Sequence, residues 1–292
     1  MNVFITGAGG FIGRRLLALI AKDKRFGNVY CLCRGGKTVP DGFTAVSGSL
    51  ESLDCVPAVE ADVCIHLAAV TNNEKQGDGE VERVNAQGTA NVVEYCKKSG
   101  IKKIIFLSSV NTYLSRKYEY SFSKLRAEEI IMNSGLEYTV LRCALVYGEG
   151  CKSFEKILAA AKLFRIVPIL GNGEAAEQPI YVDEVCRAVQ AVVFGGKGSA
   201  VFDLCGKTTV SYNEMVKALL AAADIKAALL HIPSAPVIAA AEFCAKHGVP
   251  FPINPEQISH MCEDLCFEDR GNFTAECGFE DFTVNLEKYM KK

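Results

Sequence analysis

Hydrophobic positions along the chain alternate between two rhythms. Short runs, apolar on both faces, stand at VFIT (3–6), VYCLC (29–33), DVCIHL (62–67), KIIFLS (103–108) and YTVLRC (138–143). Between them apolar residues recur at helical spacing over 11–22, 81–98 and 121–134. Such runs predict strands covered on both faces, and their alternation with helices predicts βαβ units on a parallel sheet. The fold class that follows is α/β, doubly wound.

After residue 148 the rhythm loosens. A helix is predicted over 153–165, followed by the Gly-rich turn LGNGEAAEQP (170–179), a helix from 183 and a strand at AVFDLC (200–205). In SYNEMVKALLAA, Ser211 and Glu214 have capping-box spacing. The last 65 residues read as mainly helical, punctuated by Pro233, Pro236, Pro250, Pro252 and Pro255. The expected organisation is a core over 1–150, rejoined by 179–205, with a smaller, mainly helical C-terminal lobe over 151–178 and 206–292. There is no internal repeat or low-complexity segment.

Length and composition narrow the class. At ~150 residues per domain, 292 residues make one large domain or two, enough to bury a core without disulfides. Apolar residues at 49% and charged residues at 23% fit a soluble globular chain, and a net charge of -2 gives no attraction to nucleic acid or anionic membrane. The 13 cysteines are irregularly spaced without a CxxC pair, which predicts reduced thiols, no metal site and a cytoplasmic location. The N-terminus lacks the basic region of a signal peptide, and the later apolar stretch APVIAAAEFCA (235–245) is too short to span a bilayer.

The first strand runs into glycines at Gly7, Gly10 and Gly13, and a helix follows. Gly7 can take positive φ, Gly10 removes a Cβ where a pyrophosphate approaches, and Gly13 allows close packing of helix on strand. The helix N-terminus offers amides to an anion. The spacing is G-xx-G-xx-G, unlike the general G-x-G-xx-G fingerprint, so a plain strand-to-helix turn is the alternative. Its place at the first strand of a βαβ pattern favours the dinucleotide site of a Rossmann fold. The second strand ends LCRGGK: Arg34 stands at its tip, Lys37 is near, and there is no acid. A guanidinium suits a ribose 2′-phosphate, which favours NADP over NAD; a solvated charge is the bland alternative.

Candidate chemistry lies in FLSSVNTYLSRKYEYSFSKLRAEEII. Tyr120 and Lys124, four apart on a predicted helix, share a face. An ammonium near a phenol lowers its pKa from ~10 toward neutrality, making an acid–base group. Ser109 falls just past the fifth strand, at the carboxyl edge where α/β sheets bind ligands. The Y-xxx-K pair alone is more often an exposed helix pair; the Ser-Ser strand end and the upstream glycine turn give it weight.

With these motifs in place, the chain resembles the extended short-chain dehydrogenase/reductases, the NAD-dependent epimerase/dehydratase group. TGAGGFIG resembles the family's TGxxGxxG turn, HLAA (66–69) the cofactor-lining segment, and Asn85 with GTAN (88–91) the N-xx-GT-xN helix. SVNTY resembles S-xxx-Y, which selects Ser109 rather than Ser108; YSFSK supplies Tyr120 and Lys124. LRCALVYGEG (141–150) resembles the segment closing the nicotinamide site, and QPIYVDEVCRAV (178–189) a helix start in the substrate lobe. The resemblance implies Ser109, Tyr120 and Lys124 as catalytic residues. Tyr120 would move the substrate proton, Lys124 would bind the nicotinamide ribose, and Ser109 would hold the reacting oxygen during hydride transfer. It implies cofactor contacts from Gly7, Gly10, Phe11, Ile12, Gly13, Arg34, Ser49, Leu50, Leu67, Ala68, Ala69 and Asn85, besides Tyr120 and Lys124. His66 would belong to the cofactor-lining motif. A homodimer built on the helices near 81–98 and 121–134 is also implied.

Some positions depart from the family. Ser49 stands where an adenine-binding Asp is usual, with Leu50 expected to pack on the adenine. Only ten residues separate Ser109 from Tyr120. The lobe reads EAAEQP and HMCEDLCFED where arginines would meet a diphosphate; Lys152, Lys156, Lys162 and Arg165 could substitute or be a solvated face. Cys151 reads as a loop cysteine. The tail INPEQISHMCEDLCFEDRGNFTAECGF still resembles that of sugar-nucleotide epimerases and reductases, so a nucleotide sugar leads as substrate. An NADPH-dependent reductase of a non-nucleotide ketone or aldehyde is the alternative. An inactive cofactor-sensing protein is the third reading, opposed by the intact Ser109, Tyr120 and Lys124.

Overall fold

The first strand, β1 (Val3–Thr6), is buried at every position. Val3 and Ile5 enter one hydrophobic cluster and Phe4 enters the other, so the strand separates two helical layers. This is a computed structural model, and it describes residues 1–36, 38–71, 79–196, 198–249 and 251–290. Lys37 and Pro250 lie outside the described residues.

Along the chain β1 is followed by α1 (Phe11–Ile20), β2 (Val29–Cys33), β3 (Thr44–Ser47) and β4 (Val63–His66). A helical stretch follows as α2 (Glu80–Glu82), a π turn (Arg83–Gln87) and α3 (Gly88–Lys98). Next come β5 (Lys103–Ser109), α4 (Glu119–Met132), β6 (Glu137–Cys143), β7 (Val146–Tyr147), α5 (Lys152–Phe164), β8 (Ile166–Leu170), β9 (Ala176–Glu177) and β10 (Ile180–Tyr181). The remainder is α6 (Val182–Gly195), β11 (Ala200–Leu204), β12 (Val210–Ser211), α7 (Tyr212–Ala222), β13 (Ala228–Ile232), α8 (Ser234–Lys246), α9 (Pro255–Cys262), α10 (Phe273–Glu276) and α11 (Phe282–Met290).

The central sheet has seven strands in the order β11-β6-β5-β4-β1-β2-β3, all parallel. The direction of winding reverses between β1 and β4, the topological switch point beside which such sheets bind ligands. Helices α1 and α6 cover one face, tied by the Arg15–Asp183 ion pair, whose second bond runs from Nη2 to Oδ2 at 2.6 Å. Helices α3 and α4 cover the other, around Val92, Val93, Ala127 and Ile131. The capping box of α7 is present, with Glu214 N donating to Ser211 Oγ at 3.2 Å and Ser211 N donating to Glu214 Oε2 at 2.8 Å.

Two expectations are corrected. The stretch after residue 166 holds more strand than AVFDLC: β8 and β13 pair in parallel, Ile166 to Leu170 against Ala228 to Ile232. Ser109 does not lie past the fifth strand but is its last residue. Among the described residues no helix is long and apolar enough to cross a membrane, and no group of three or more His, Cys, Asp or Glu side chains is arranged to hold a metal. None of the thirteen cysteines is paired in a disulfide.

Candidate active site

The glycine turn is dictated by backbone contacts. Gly7 has φ +76°, and a Cβ there would lie 2.6 Å from the Ala68 nitrogen, so the turn rests directly on the segment after β4. A Cβ on Gly13 would lie 2.2 Å from the Gly7 carbonyl oxygen, whereas one on Gly9 meets nothing within 4 Å. Gly10 donates to Gly7 O at 3.0 Å and is the N-cap of α1; it supplies no side-chain cap, and the first turn, opened by half-buried Phe11 and Ile12, holds no acid. A long helix with uncapped, acid-free N-terminal amides facing an open glycine turn fits a pyrophosphate.

Leu67, Ala68 and Ala69 are half-buried beside this turn. They are braced from behind: Asn85 is buried, accepts from Val70 N at 2.8 Å and donates to Val70 O and to Ser123 Oγ, both at 3.0 Å. Its amide therefore supports the segment and α4 rather than turning toward the glycine turn. The π turn that holds Asn85 is the kind of helix irregularity often found at functional sites. His66 is fully buried between Thr6 Oγ1 (2.6 Å to Nδ1) and Thr89 Oγ1 (3.0 Å to Nε2). Burial, with Lys124 nearby, pushes it down to about 3, so it is a neutral brace.

At the adenine end Arg34 is exposed just after β2. Ser49 is half-buried with its hydroxyl 3.0 Å from Ser52 Oγ. Leu50 differs from expectation: its side chain is buried and faces Gly88 of α3, while its carbonyl accepts from Asn91 at 2.8 Å. A leucine buried against a glycine belongs to the core cluster, not to an open adenine face.

The end of β5 and the first turn of α4 bring Ser109, Tyr120 and Lys124 together. Ser109 Oγ accepts from Asn111 N at 3.2 Å, and its hydroxyl lies near enough to Tyr120 to favour the phenolate. Ser108 points elsewhere: it donates to Glu128 Oε1 at 2.5 Å, where Arg142 also binds, Nη2 to Oε2 at 2.6 Å. Arg142 is thus the partner of a buried carboxylate and also reaches Tyr113. Lys124 is buried, donates to Leu107 O at 2.7 Å and lies 4.3 Å over the Phe106 ring. Burial lowers it to about 8, against the pull of Glu128.

The expected lowering of Tyr120 by Lys124 is reversed. Burial, followed by the charge of Glu256, raises Tyr120 well above its ordinary value, and the Ser109 hydroxyl offsets only part of this. The ammonium is committed to the Leu107 carbonyl, so the phenol keeps its proton.

Glu256 and its neighbours escaped the sequence reading. Glu256 Oε1 accepts from Asn111 Nδ2 at 3.0 Å and its Oε2 from Ser121 N at 3.3 Å. His260 Nδ1 lies 2.8 Å from Asn111 Oδ1, and its Nε2 faces Glu177 Oε1 at 3.2 Å. Burial alone would lower His260; the carboxylates of Glu177, Glu256 and Glu263 together reverse this and raise it. Lys152, Lys156, Lys162 and Arg165 are exposed along and just past α5, a solvated face, and Cys151 is buried at its start.

A seven-stranded parallel sheet, a glycine cradle at its switch point and a Ser–Tyr–Lys constellation at the next strand end define a short-chain dehydrogenase/reductase of the extended type. The model of the NAD dependent epimerase/dehydratase family matches residues 3–199, and the chain belongs to that family of NAD-dependent enzymes. It is similar to a 4-hydroxy-2-methyl-3-oxo-4-farnesyl-3,4-dihydroquinoline-1-oxide ketoreductase of Stigmatella aurantiaca, 26% identical over 262 residues, 80% of this chain and 76% of that protein. It is also similar to a dTDP-glucose 4,6-dehydratase of Streptomyces antibioticus, 25% identical over 257 residues, 75% of this chain and 76% of that one. In fold it matches the UDP-glucuronic acid 4-epimerase from Bacillus cereus, solved with UDP-glucuronic acid and NAD: TM-score 0.73, 18% identity, covering 100% of this chain and 98% of that one.

Proposed function

We propose that the protein is an NAD(P)-dependent oxidoreductase or epimerase acting at a substrate carbinol or ketone, with a nucleotide sugar as substrate. The observation that carries this is the meeting of Ser109, Tyr120 and Lys124 at the strand edge beside the glycine turn. A bound nicotinamide would supply or accept the hydride. Ser109 Oγ, fixed by Asn111 N, is set to hydrogen-bond the reacting oxygen. Tyr120 holds the proton that this oxygen gains on reduction or gives up on oxidation. Lys124 spends one N–H on Leu107 O and has others for a ribose hydroxyl. The first turn of α1 holds the pyrophosphate, and Arg34 is the basis for preferring NADP to NAD. The substrate lobe is assigned to 151–178 and 206–292. A homodimer through the outer face of α4, where Phe122 is 52% exposed, belongs to the same reading.

One observation favours reduction of a non-nucleotide ketone instead. In the EAAEQP segment the charged side chain nearest the site is Glu177, paired with His260, and neither is an arginine fork for a diphosphate. A turnover screen with NADH and NADPH against UDP-, GDP- and dTDP-sugars and simple ketones separates the two. In either case Tyr120→Phe is expected to abolish turnover; unchanged turnover would remove Tyr120 from the acid–base role.

A further inference from the structure

Helix α9 reaches the candidate site from the far end of the chain. Its second residue, Glu256, is 2% exposed and touches both elements that carry the chemistry. One oxygen binds Asn111, whose backbone N–H holds Ser109 Oγ; the other accepts the Ser121 N–H in the first turn of α4, the helix of Tyr120 and Lys124. The carboxylate is therefore an N-terminal cap supplied to α4 by another helix.

The donor pattern fixes this array. Asn111 Nδ2 donates to Glu256, so its Oδ1 must accept from His260 Nδ1. His260 Nε2 lies 3.2 Å from Glu177 Oε1, and the charge of that carboxylate favours the protonated ring. The ring is bracketed by Glu177 on one side and by Asn111, leading to Glu256, on the other. The 109–121 segment is fastened to the same lobe by Ser115 N on Glu263 Oε2 (2.8 Å) and Tyr118 OH on Glu242 Oε1 (3.1 Å).

We propose that Glu256 is a positioning residue for the acid–base chemistry, fixing Ser109 through Asn111, capping the helix of Tyr120 and Lys124, and setting a negative charge at the turn that carries Tyr120. The groups facing Tyr120 are Glu256 from α9, the Ser109 hydroxyl from β5 and the Cys143 thiol from β6, with Lys124 one turn along its own helix. Of the carboxylates on α9 and its flanks, Glu256 is the one whose charge raises Tyr120. The consequence is a phenol that stays protonated before substrate binds.

This role rests on Tyr120 being the acid–base group, but its test reads the tyrosine without substrate, so a failed turnover screen leaves it intact. The full-length protein is labelled with ¹³Cζ-tyrosine, Tyr120 is assigned by Tyr120→Phe, and its resonance is followed by NMR to pH ~11. In Glu256→Gln the phenolate shift is expected to begin at least about one pH unit lower than in wild type. Glu256→Asp, which keeps the charge, should begin near the wild-type pH. An unchanged onset in Glu256→Gln, no onset in either protein, or a Glu256→Asp that behaves like Glu256→Gln would overturn the proposal.

Discussion

Ser108 and Ser109, adjacent at the end of β5, turn their hydroxyls to opposite purposes: Ser108 donates to the buried carboxylate of Glu128 at 2.5 Å, and Ser109 faces Asn111 N at 3.2 Å and Tyr120. A strand that alternates its side chains leaves only one of them for substrate. Ser109→Ala is expected to lower turnover by ~10²–10³ with little change in stability, as for loss of a donor to a reacting oxygen. Ser108→Ala should leave turnover close to wild type but cost ~1–3 kcal/mol in urea denaturation, because Glu128 loses a donor. The reverse pattern would mean that Ser108 holds the substrate.

The glycine turn separates folding from binding. A Cβ on Gly13 would meet backbone atoms, Gly7 O at 2.2 Å and Ala8 Cα at 2.7 Å, which cannot swing aside. Gly13→Ala should cost ~3 kcal/mol or prevent folding, since α1 must move off the turn. Gly9→Ala, with nothing within 4 Å, should keep its melting temperature. If both variants melt like wild type, the close approach of α1 is not what requires Gly13.

The five inner strands of the sheet, β6, β5, β4, β1 and β2, with α1 and α4, were legible because parallel strands buried on both faces leave unbroken apolar runs. The β8–β13 pair was not. Pro168 interrupts IVPIL, ALLHI is half-exposed, and their partners are distant along the chain. The same division runs through the site. Tyr120 and Lys124 announce themselves by helical spacing and Ser109 by its strand end, all local signals. Glu256 stands 135 residues from Ser121, and what made it matter is where α9 docks, for which NPEQ gives only a capping box. Leu50 was misjudged for a related reason: its partner, Gly88, lies on a helix across the sheet edge.

The proposed preference for NADP rests on Arg34. It is exposed at the β2 tip and forms no ion pair among the described residues. A guanidinium forked onto a 2′-phosphate makes charge-assisted bonds that a ribose hydroxyl lacks. Arg34→Ala is therefore expected to weaken NADPH binding ~10-fold or more while leaving NADH affinity unchanged, as read by calorimetry. Equal binding of NADH and NADPH by the wild type would remove the preference and leave NAD as the cofactor.

Lys124 sets function against stability. Its folded value is lowered to about 8 by burial, against ~10.4 for a free lysine. Between those values the unfolded chain holds a proton that the folded chain has released, so this group makes stability rise with pH across that window. Below pH ~8 both states are protonated and the cost of burying the ammonium is felt in full. Replacing it with a neutral chain of similar length removes that cost, on the order of 3 kcal/mol at most, but leaves the Leu107 carbonyl without its donor, which returns ~1 kcal/mol. Lys124→Met should therefore be more stable than wild type at pH 7 in urea denaturation, with the advantage shrinking toward pH ~10. It should also lose turnover by ~10² or more, since no ammonium is left to hold a ribose hydroxyl. His66 titrates with the same sign but in a separate window: lowered to about 3, it makes stability fall as pH drops below ~6.5, so measurements above pH 7 isolate Lys124. A Lys124→Met protein less stable than wild type at pH 7 would show that the ammonium's contacts with Leu107 and Phe106 outweigh its burial.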